Sequence, residues 1–371
     1  MLRKLPPRIF SSRIRFVIPV LAVLSLKILC SIFLYHRLSI LGSFFTPWME
    51  AWGSSGPTQA WLYLFNAQDS GFYVALARVW YAYPMYVFFP AYPVLIMAAG
   101  ALAGDVWLSA FIISFTLGLA ALPLLQSVAE QYMTRPEAAG STMLAATFPY
   151  VFVFTTVSYT ESLFFFSTVA AWLLYLKRRL TSSALAATVA TLTKNYGFAI
   201  VIPIAAGLLA ERRFRQLPQL ALPVLSLLGW IYYLYLSTGD PFVFSTQQSY
   251  WKAQGVGFGW YEVYLKPLLD FNVWKPAEFN YLLVALIIFF GYMAFTVFNI
   301  DSRLGLYSLS VFLPLLYMGS FISLPRFFAF IFPVWLVAKP RSMLALLAAV
   351  TFFITTSLLV WYQFILGTWV A

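Results

Sequence analysis

The stretch Tyr83-Pro84-Met85-Tyr86-Val87-Phe88-Phe89-Pro90-Ala91-Tyr92-Pro93, followed by the apolar run Val94 to Gly104, decides how the rest of this chain is laid out. It is apolar enough to be taken for a membrane span. Pro84, Pro90 and Pro93 interrupt any helix there, and the run after them falls short of the ~20 residues that a crossing needs. We read it as lying along, or re-entering, a membrane interface. Charge decides the same way. Counting the segment as a crossing places Arg135, Lys177, Arg178, Arg179, Arg212, Arg213, Arg215, Arg303, Lys339 and Arg341 opposite a basic N-terminus that carries Arg3, Lys4, Arg8, Arg13 and Arg15. Counting it as a non-crossing segment puts fifteen of the 23 Lys and Arg residues on one side, as the positive-inside rule requires.

Composition sets the frame for that argument. The 371 residues are 62% hydrophobic and 9% charged, and mean hydropathy is +0.83, the signature of a polytopic helical membrane protein in one domain. The net charge of +11 comes from short basic loops, so it reads as membrane orientation and not as nucleic-acid binding. A single cysteine, Cys30, allows no disulfide within the chain. The basic N-terminus and the apolar run Phe16 to Tyr35 lead into His36-Arg37-Leu38, which is no cleavage site, so a retained first helix with a cytoplasmic N-terminus is expected.

About eleven spans are expected, near 16–36, 107–128, 138–157, 161–176, 182–194, 196–210, 217–236, 279–298, 304–322, 326–338 and 343–364. The pair meeting at Lys194-Asn195-Tyr196-Gly197 and the run ending at Lys339 are short, as broken or tilted helices are. The outer loops are expected at 37–106 and 237–278. With this topology Glu50, Asp69, Asp105, Glu161, Asp240, Glu262, Asp270 and Glu278 share the outer face, together with Arg326.

Asp69, in Asn66-Ala67-Gln68-Asp69-Ser70-Gly71-Phe72-Tyr73, is the first candidate. Its position before an apolar stretch equally suits a helix N-cap. Glu161 opens a helix after Ser158-Tyr159-Thr160, where an acid favours the dipole; so close to hydrocarbon it is also a site candidate. Lys194 sits at a helix break, where irregular backbone needs a cavity or protein around it. Lys27 and Arg326 are cations in apolar surroundings, able to snorkel or to meet a phosphate. The aromatics Trp48, Trp52, Trp61, Tyr63, Phe72, Tyr73 and Trp80 read as an interfacial belt, and the sole histidine, His36, as an interface residue. No glycine-rich phosphate loop, dinucleotide fingerprint or paired-histidine metal helix is present. Nothing in the sequence requires a metal or cofactor, although paired carboxylates could hold a cation.

Taken in order, several pieces resemble one family. They are the Asp69 segment with Phe88-Phe89-Pro90-Ala91-Tyr92-Pro93, Ser158-Tyr159-Thr160-Glu161-Ser162 with Lys177-Arg178-Arg179, and Leu192-Thr193-Lys194-Asn195-Tyr196-Gly197. Gly239-Asp240-Pro241-Phe242-Val243-Phe244 with Gln247, Gln248 and Trp251 follows, then Pro325-Arg326 through Phe332-Pro333. Together they look like the PIG-V-like second mannosyltransferase of GPI-anchor synthesis, over roughly residues 60 to 340. The resemblance implies a GT-C glycosyltransferase fold with juxtamembrane helices after the catalytic acid, and a polyprenyl- or dolichyl-phosphate sugar donor, most simply mannose. It implies Asp69 as the base, joined by Glu161 in the catalytic pair. Arg326, Lys194, Asn195, Gln68, Tyr92, Asp240 and Gln248 would contact the donor phosphate or substrate. The family usually carries Trp where this chain has Gln68. That departure bears on which donor or acceptor is used, while the compact chain and the absence of Asn-x-Ser/Thr sequons on the outer loops suit a prokaryotic or archaeal relative in the plasma membrane, whose acceptor need not be a GPI precursor.

The expected reaction is an inverting transfer needing one base and a cation for the leaving phosphate. A lipid or solute transporter is the rival. It calls for inverted repeats and midplane charges, and neither stands out here.

Overall fold

The computed structural model describes residues 14–41, 59–247, 277–318 and 323–367, and every regular element among them is helical. The chain runs through α1 (Ile14–Leu41), α2 (Ser70–Val79), α3 (Ala91–Ala103), α4 (Val106–Ala129), α5 (Arg135–Thr147), α6 (Pro149–Phe154), α7 (Glu161–Leu176) and α8 (Leu180–Thr193). It continues through α9 (Val201–Ala210), α10 (Ala221–Thr238), α11 (Val243–Thr246), α12 (Ala277–Thr296), α13 (Ser302–Met318), α14 (Leu324–Ala329) and α15 (Met343–Ile365). Among the described residues four helical stretches, 14–39, 106–129, 214–238 and 343–365, are long and apolar enough to cross a membrane. The chain is thus an all-α protein of membrane character.

The breaks follow local chemistry. The expected span 138–157 is two helices, because Pro149 starts α6 at its first turn and pushes Phe148 to an extended ψ of 133°. Lys194 is extended (φ −147°, ψ 144°) between α8 and a 3-10 turn over Asn195–Ile200 that leads into α9. Gly197 is obligatory in that turn: a Cβ there would lie 2.0 Å from the carbonyl oxygen of Ala190. α14 is only six residues long and is followed by a 3-10 turn over Phe332–Leu336.

α3 does not run the length of the bundle. Its 13 residues span about 20 Å, and both of its ends rest on the first turns of α4. Gly104 ends α3 in the left-handed conformation (φ 75°), and the Asp105 carboxylate then caps α4 at 2.8 and 3.1 Å from the amides of Trp107 and Leu108. At the other end the Tyr92 hydroxyl donates to Ala110 O at 2.9 Å and meets Ser114 Oγ at 2.7 Å. α3 and α4 therefore form a tight hairpin. The start of α3 meets α4 at the level of Ser114, about 14 Å along α4 from Asp105.

The two ends of the bundle differ in chemistry. At one end polar contacts tie the start of α1 to four connections between helices: Arg15 pairs with Glu130 at 3.0 Å, Tyr132 donates to Asp301 at 3.1 Å, and Arg303 holds Asp301 at 2.7 Å and Tyr175 at 3.3 Å. Tyr175 donates to Glu211 at 2.9 Å, and Arg178 and Arg213 pair with the same carboxylate. Gly140 packs on Pro340 beside Lys339 and Arg341. The basic loops that the charge argument grouped together are gathered here. At the opposite end lie Asp69, Asp105, Glu161 and Asp240. Glu50, Glu262, Asp270, Trp48 and Trp52 fall outside the described residues.

Lys27 does not snorkel, and it is not free for a phosphate. It is 1% exposed, and its ammonium donates to Thr155 O at 2.9 Å, Thr155 Oγ1 at 2.8 Å and Phe152 O at 3.4 Å. These are the last-turn carbonyls of α6, which lack partners within the helix and favour a cation.

Candidate functional site

Four charged residues taken from four separate sequence motifs converge at the acidic end. Asp69 occupies the N-cap position of α2, delivered by Gln68, whose backbone is left-handed (φ 51°), a conformation costing a non-glycine residue about 1–2 kcal/mol. Its carboxylate makes no capping hydrogen bond. The capping alternative is thereby set aside, and the side chain remains available although it is only 8% exposed. Its amide donates to the Tyr159 hydroxyl at 3.0 Å.

Glu161, 1% exposed, is clamped from two directions. Lys194 Nζ donates to its Oε1 at 3.1 Å, and Arg326 Nε approaches the same oxygen at 3.5 Å. Thr160 Oγ1 donates to its other oxygen at 3.2 Å and in turn meets the Tyr73 hydroxyl at 3.4 Å. Buried carboxylates persist only when paired and hydrogen-bonded in this way, and removing one partner of such a pair typically costs about 3–5 kcal/mol. The role of α7's first turn is therefore more than a dipole contact.

Aromatic faces wall the cations. The Arg326 guanidinium lies 5.0 Å from the ring centre of Phe154, 5.4 Å from Tyr159 and 4.8 Å from Phe327. Lys194 lies 5.1 Å from Phe327 and 5.8 Å from Tyr196. Such contacts offset part of the desolvation of each cation. They do not satisfy its N–H groups: Arg326 Nε is buried without a hydrogen-bond acceptor. Burial pushes the Asp69 carboxyl up to about 6, against the pull of Arg326 and Lys194 and with the push of Glu161.

The other expected site residues are placed differently. The Tyr92 hydroxyl is spent on α4, so this residue fixes the α3–α4 hairpin and does not present itself to a ligand. The Gln68 side chain donates to Phe364 O at 3.2 Å, tying the Asp69 turn to the end of α15. Asn195 Oδ1 accepts the next amide, that of Tyr196, at 2.8 Å, which shapes the break after Lys194. Asp240 accepts from Phe242 N at 2.8 Å and Thr246 Oγ1 at 3.1 Å, holding the turn into α11, so its carboxylate is engaged in local structure. Gln248 lies outside the described residues.

Tyr159 and Ser114 join this cluster, although neither was singled out from sequence. Ser114 Oγ donates to Tyr159 O at 2.9 Å and accepts from Tyr159 N at 3.2 Å, so α4 grips the residue that holds Asp69. Tyr159 could have been found, since it stands two positions before Glu161 in the same motif. Ser114 could not, because nothing in an apolar helix singles out one serine. A surface cleft of about 270 Å³, lined by Arg178, Arg179, Thr181, Ser182, Gln216 and Gln219, lies at the basic end and contains none of these residues. Chemically, the acidic end offers a carboxylate of raised proton affinity, a second carboxylate held by two cations and a guanidinium with an Nε that lacks a hydrogen-bond acceptor, all of them buried. Compared with family models, with curated proteins and with solved structures, the chain matches none.

Proposed function

We propose that the chain is a multi-pass membrane glycosyltransferase of GT-C type, moving a hexose from a polyprenyl-phosphate carrier to a lipid-linked or glycan acceptor with inversion. The observation that carries this reading is the convergence of Asp69, Glu161, Lys194 and Arg326, one from each of four ordered motifs, with the Asp69 carboxylate unspent. In this reading some eleven segments run between the two ends of the bundle. The basic end is cytoplasmic, the acidic end faces outward, and α2 and α3 are the juxtamembrane helices that follow the base.

The residues divide the reaction between them. Asp69 accepts the proton of the acceptor hydroxyl as that oxygen attacks the anomeric carbon. The bond from that carbon to the phosphate oxygen breaks on the opposite face, and its electron pair leaves with the phosphate. Arg326 holds the departing charge through its free N–H groups. Glu161 and Lys194 keep the guanidinium in place, and the aromatic walls exclude water.

Purified protein in nanodiscs, given radiolabelled polyprenyl-phosphate mannose and a panel of lipid acceptors, should form a labelled glycolipid, and Asp69→Asn should form none above background. Movement of the intact donor or a solute across vesicles, with no transfer to any acceptor, would replace this reading with a transporter.

A further inference from the structure

The charge balance of the site carries one step more, and it rests on the glycosyl-transfer reading. The cluster holds two acids and two cations and is neutral as it stands. The shares are unequal, because Glu161 takes both cations, at 3.1 and 3.5 Å. Asp69 has neither an ion pair among the described residues nor a capping bond. Arg326 is 5% exposed, and its Nε, although 3.5 Å from Glu161 Oε1, has no hydrogen-bond acceptor, so its guanidinium still has donor capacity for an entering anion. A phosphodiester brings one negative charge into this dry neutral cluster and leaves it in deficit. The least costly relief is a proton on the acid that has no cation of its own.

We propose that an anionic phosphodiester seated on Arg326 raises the proton affinity of Asp69, so that the bound donor itself strengthens the base that takes the proton of the attacking acceptor hydroxyl. The groups facing Asp69 are Tyr73 on α2, Tyr159 and Glu161 at the start of α7, Lys194 at the break after α8, and Arg326 on α14. Tyr92 of α3 and Tyr196 stand behind them against Glu161. α4 contributes Ser114 at this level and α15 contributes Phe364, neither of which titrates. Glu161 already holds both cations, at 3.1 and 3.5 Å, which leaves Asp69 as the carboxylate to take the proton. A unit charge within ~7 Å at an effective dielectric of ~20 moves a neighbouring carboxyl by about one to two pH units. From its starting position near 6, Asp69 then reaches the neutral range in which a general base works best.

Dihexyl phosphate is a suitable probe, since it keeps a single charge from pH 5 to 9 and any proton taken up belongs to the protein. Calorimetric titration at pH 7, with EDTA and in two buffers of different ionisation enthalpy, should show uptake of about half a proton or more per ligand bound. Asp69→Asn should bind the probe at least as tightly with no uptake, and Arg326→Lys should bind it several-fold more weakly. Wild-type binding without proton uptake, uptake that persists in Asp69→Asn, or binding that needs a divalent cation would each overturn the inference while leaving the Arg326 receptor standing. Failure of the folded wild-type protein to bind, or equal affinity in Arg326→Lys, would remove both the inference and the phosphate-holding role on which it rests.

Discussion

The hydroxyl oxygen of Tyr159 accepts the backbone amide of Asp69 at 3.0 Å, so a residue two positions before α7 fixes the N-cap of α2. Because Ser114 holds the backbone of Tyr159 on both sides, the position of the candidate base is set by α4 and α7 jointly. Tyr159→Phe keeps the ring beneath Arg326 and leaves the Asp69 amide unpaired. Such a buried orphan costs about 1–3 kcal/mol. We expect a measurable drop in thermal stability with a tenfold or greater fall in kcat, and a smaller change in KM for the donor. Wild-type kcat in Tyr159→Phe would show that the contact does not position the base.

The pH dependence follows from the environment of Asp69. A base acts only when ionised, and its carboxyl is pushed up to about 6 by burial. Below that pH it is increasingly protonated, so kcat/KM should fall about tenfold per pH unit under ~6 and flatten above it. Asp69→Asn should lose about 10²-fold or more at every pH, with no acid limb remaining. A limb of unchanged position in that variant would assign it to another group.

Arg326 and Lys194 are not equivalent partners of Glu161. Lys194 makes the hydrogen bond, whereas Arg326 Nε stands 3.5 Å from the same oxygen without a hydrogen-bond acceptor. Arg326→Ala should therefore impair donor use more than Arg326→Lys, which restores a charge but not a fork. Donor kinetics identical across wild type and both variants would exclude Arg326 from the site.

The turn after Lys194 admits no side chain at position 197. With a Cβ 2.0 Å from Ala190 O, Gly197→Ala must separate the 3-10 turn from α8 and shift Lys194 with it. Loss of folding stability of more than about 2 kcal/mol is expected, read as a lower unfolding temperature or as poor recovery from the membrane. Normal stability and activity would show that the turn yields.

Sidedness can be tested at exposed positions only. Ser70 and Ser158 both flank the site and are fully buried, so cysteines there would report packing, not topology. Cysteines at Leu102 (91% exposed) and Phe242 (58% exposed) should label from outside intact cells, and one at Ser182 or Arg212 only after permeabilisation. Labelling of Leu102 and Phe242 from opposite sides would break the proposed orientation.

The all-helical, membrane-type character was readable where hydrophobic length acts over whole segments, whereas four and not eleven of the described stretches are long and apolar enough to cross. The three prolines between Tyr83 and Pro93 gave away the short α3, and the basic loops gave away the common end now occupied by Arg15, Glu130, Arg303 and Glu211. Asp69, Glu161, Lys194 and Arg326 were legible as ionisable groups in costly places. Their roles were less so, because a side chain's partner depends on three-dimensional contacts. Asp240 and Tyr92 stand in the same ordered motifs as the charged cluster, yet one holds a turn and the other a helix hairpin. Lys27, equally conspicuous in an apolar run, proved to bind backbone carbonyls supplied more than a hundred residues later.

That last contact bears on how the chain is made. α1 leaves the ribosome long before Thr155 exists, so at the moment of insertion the ammonium in the middle of the first helix has none of its eventual partners. A lone lysine at a helix centre handicaps insertion by about 2.5–3.5 kcal/mol, and the handicap is lifted only when α6 docks beside it. The first helix is thus a provisional tenant of the bilayer, lodged securely only once the sixth has arrived.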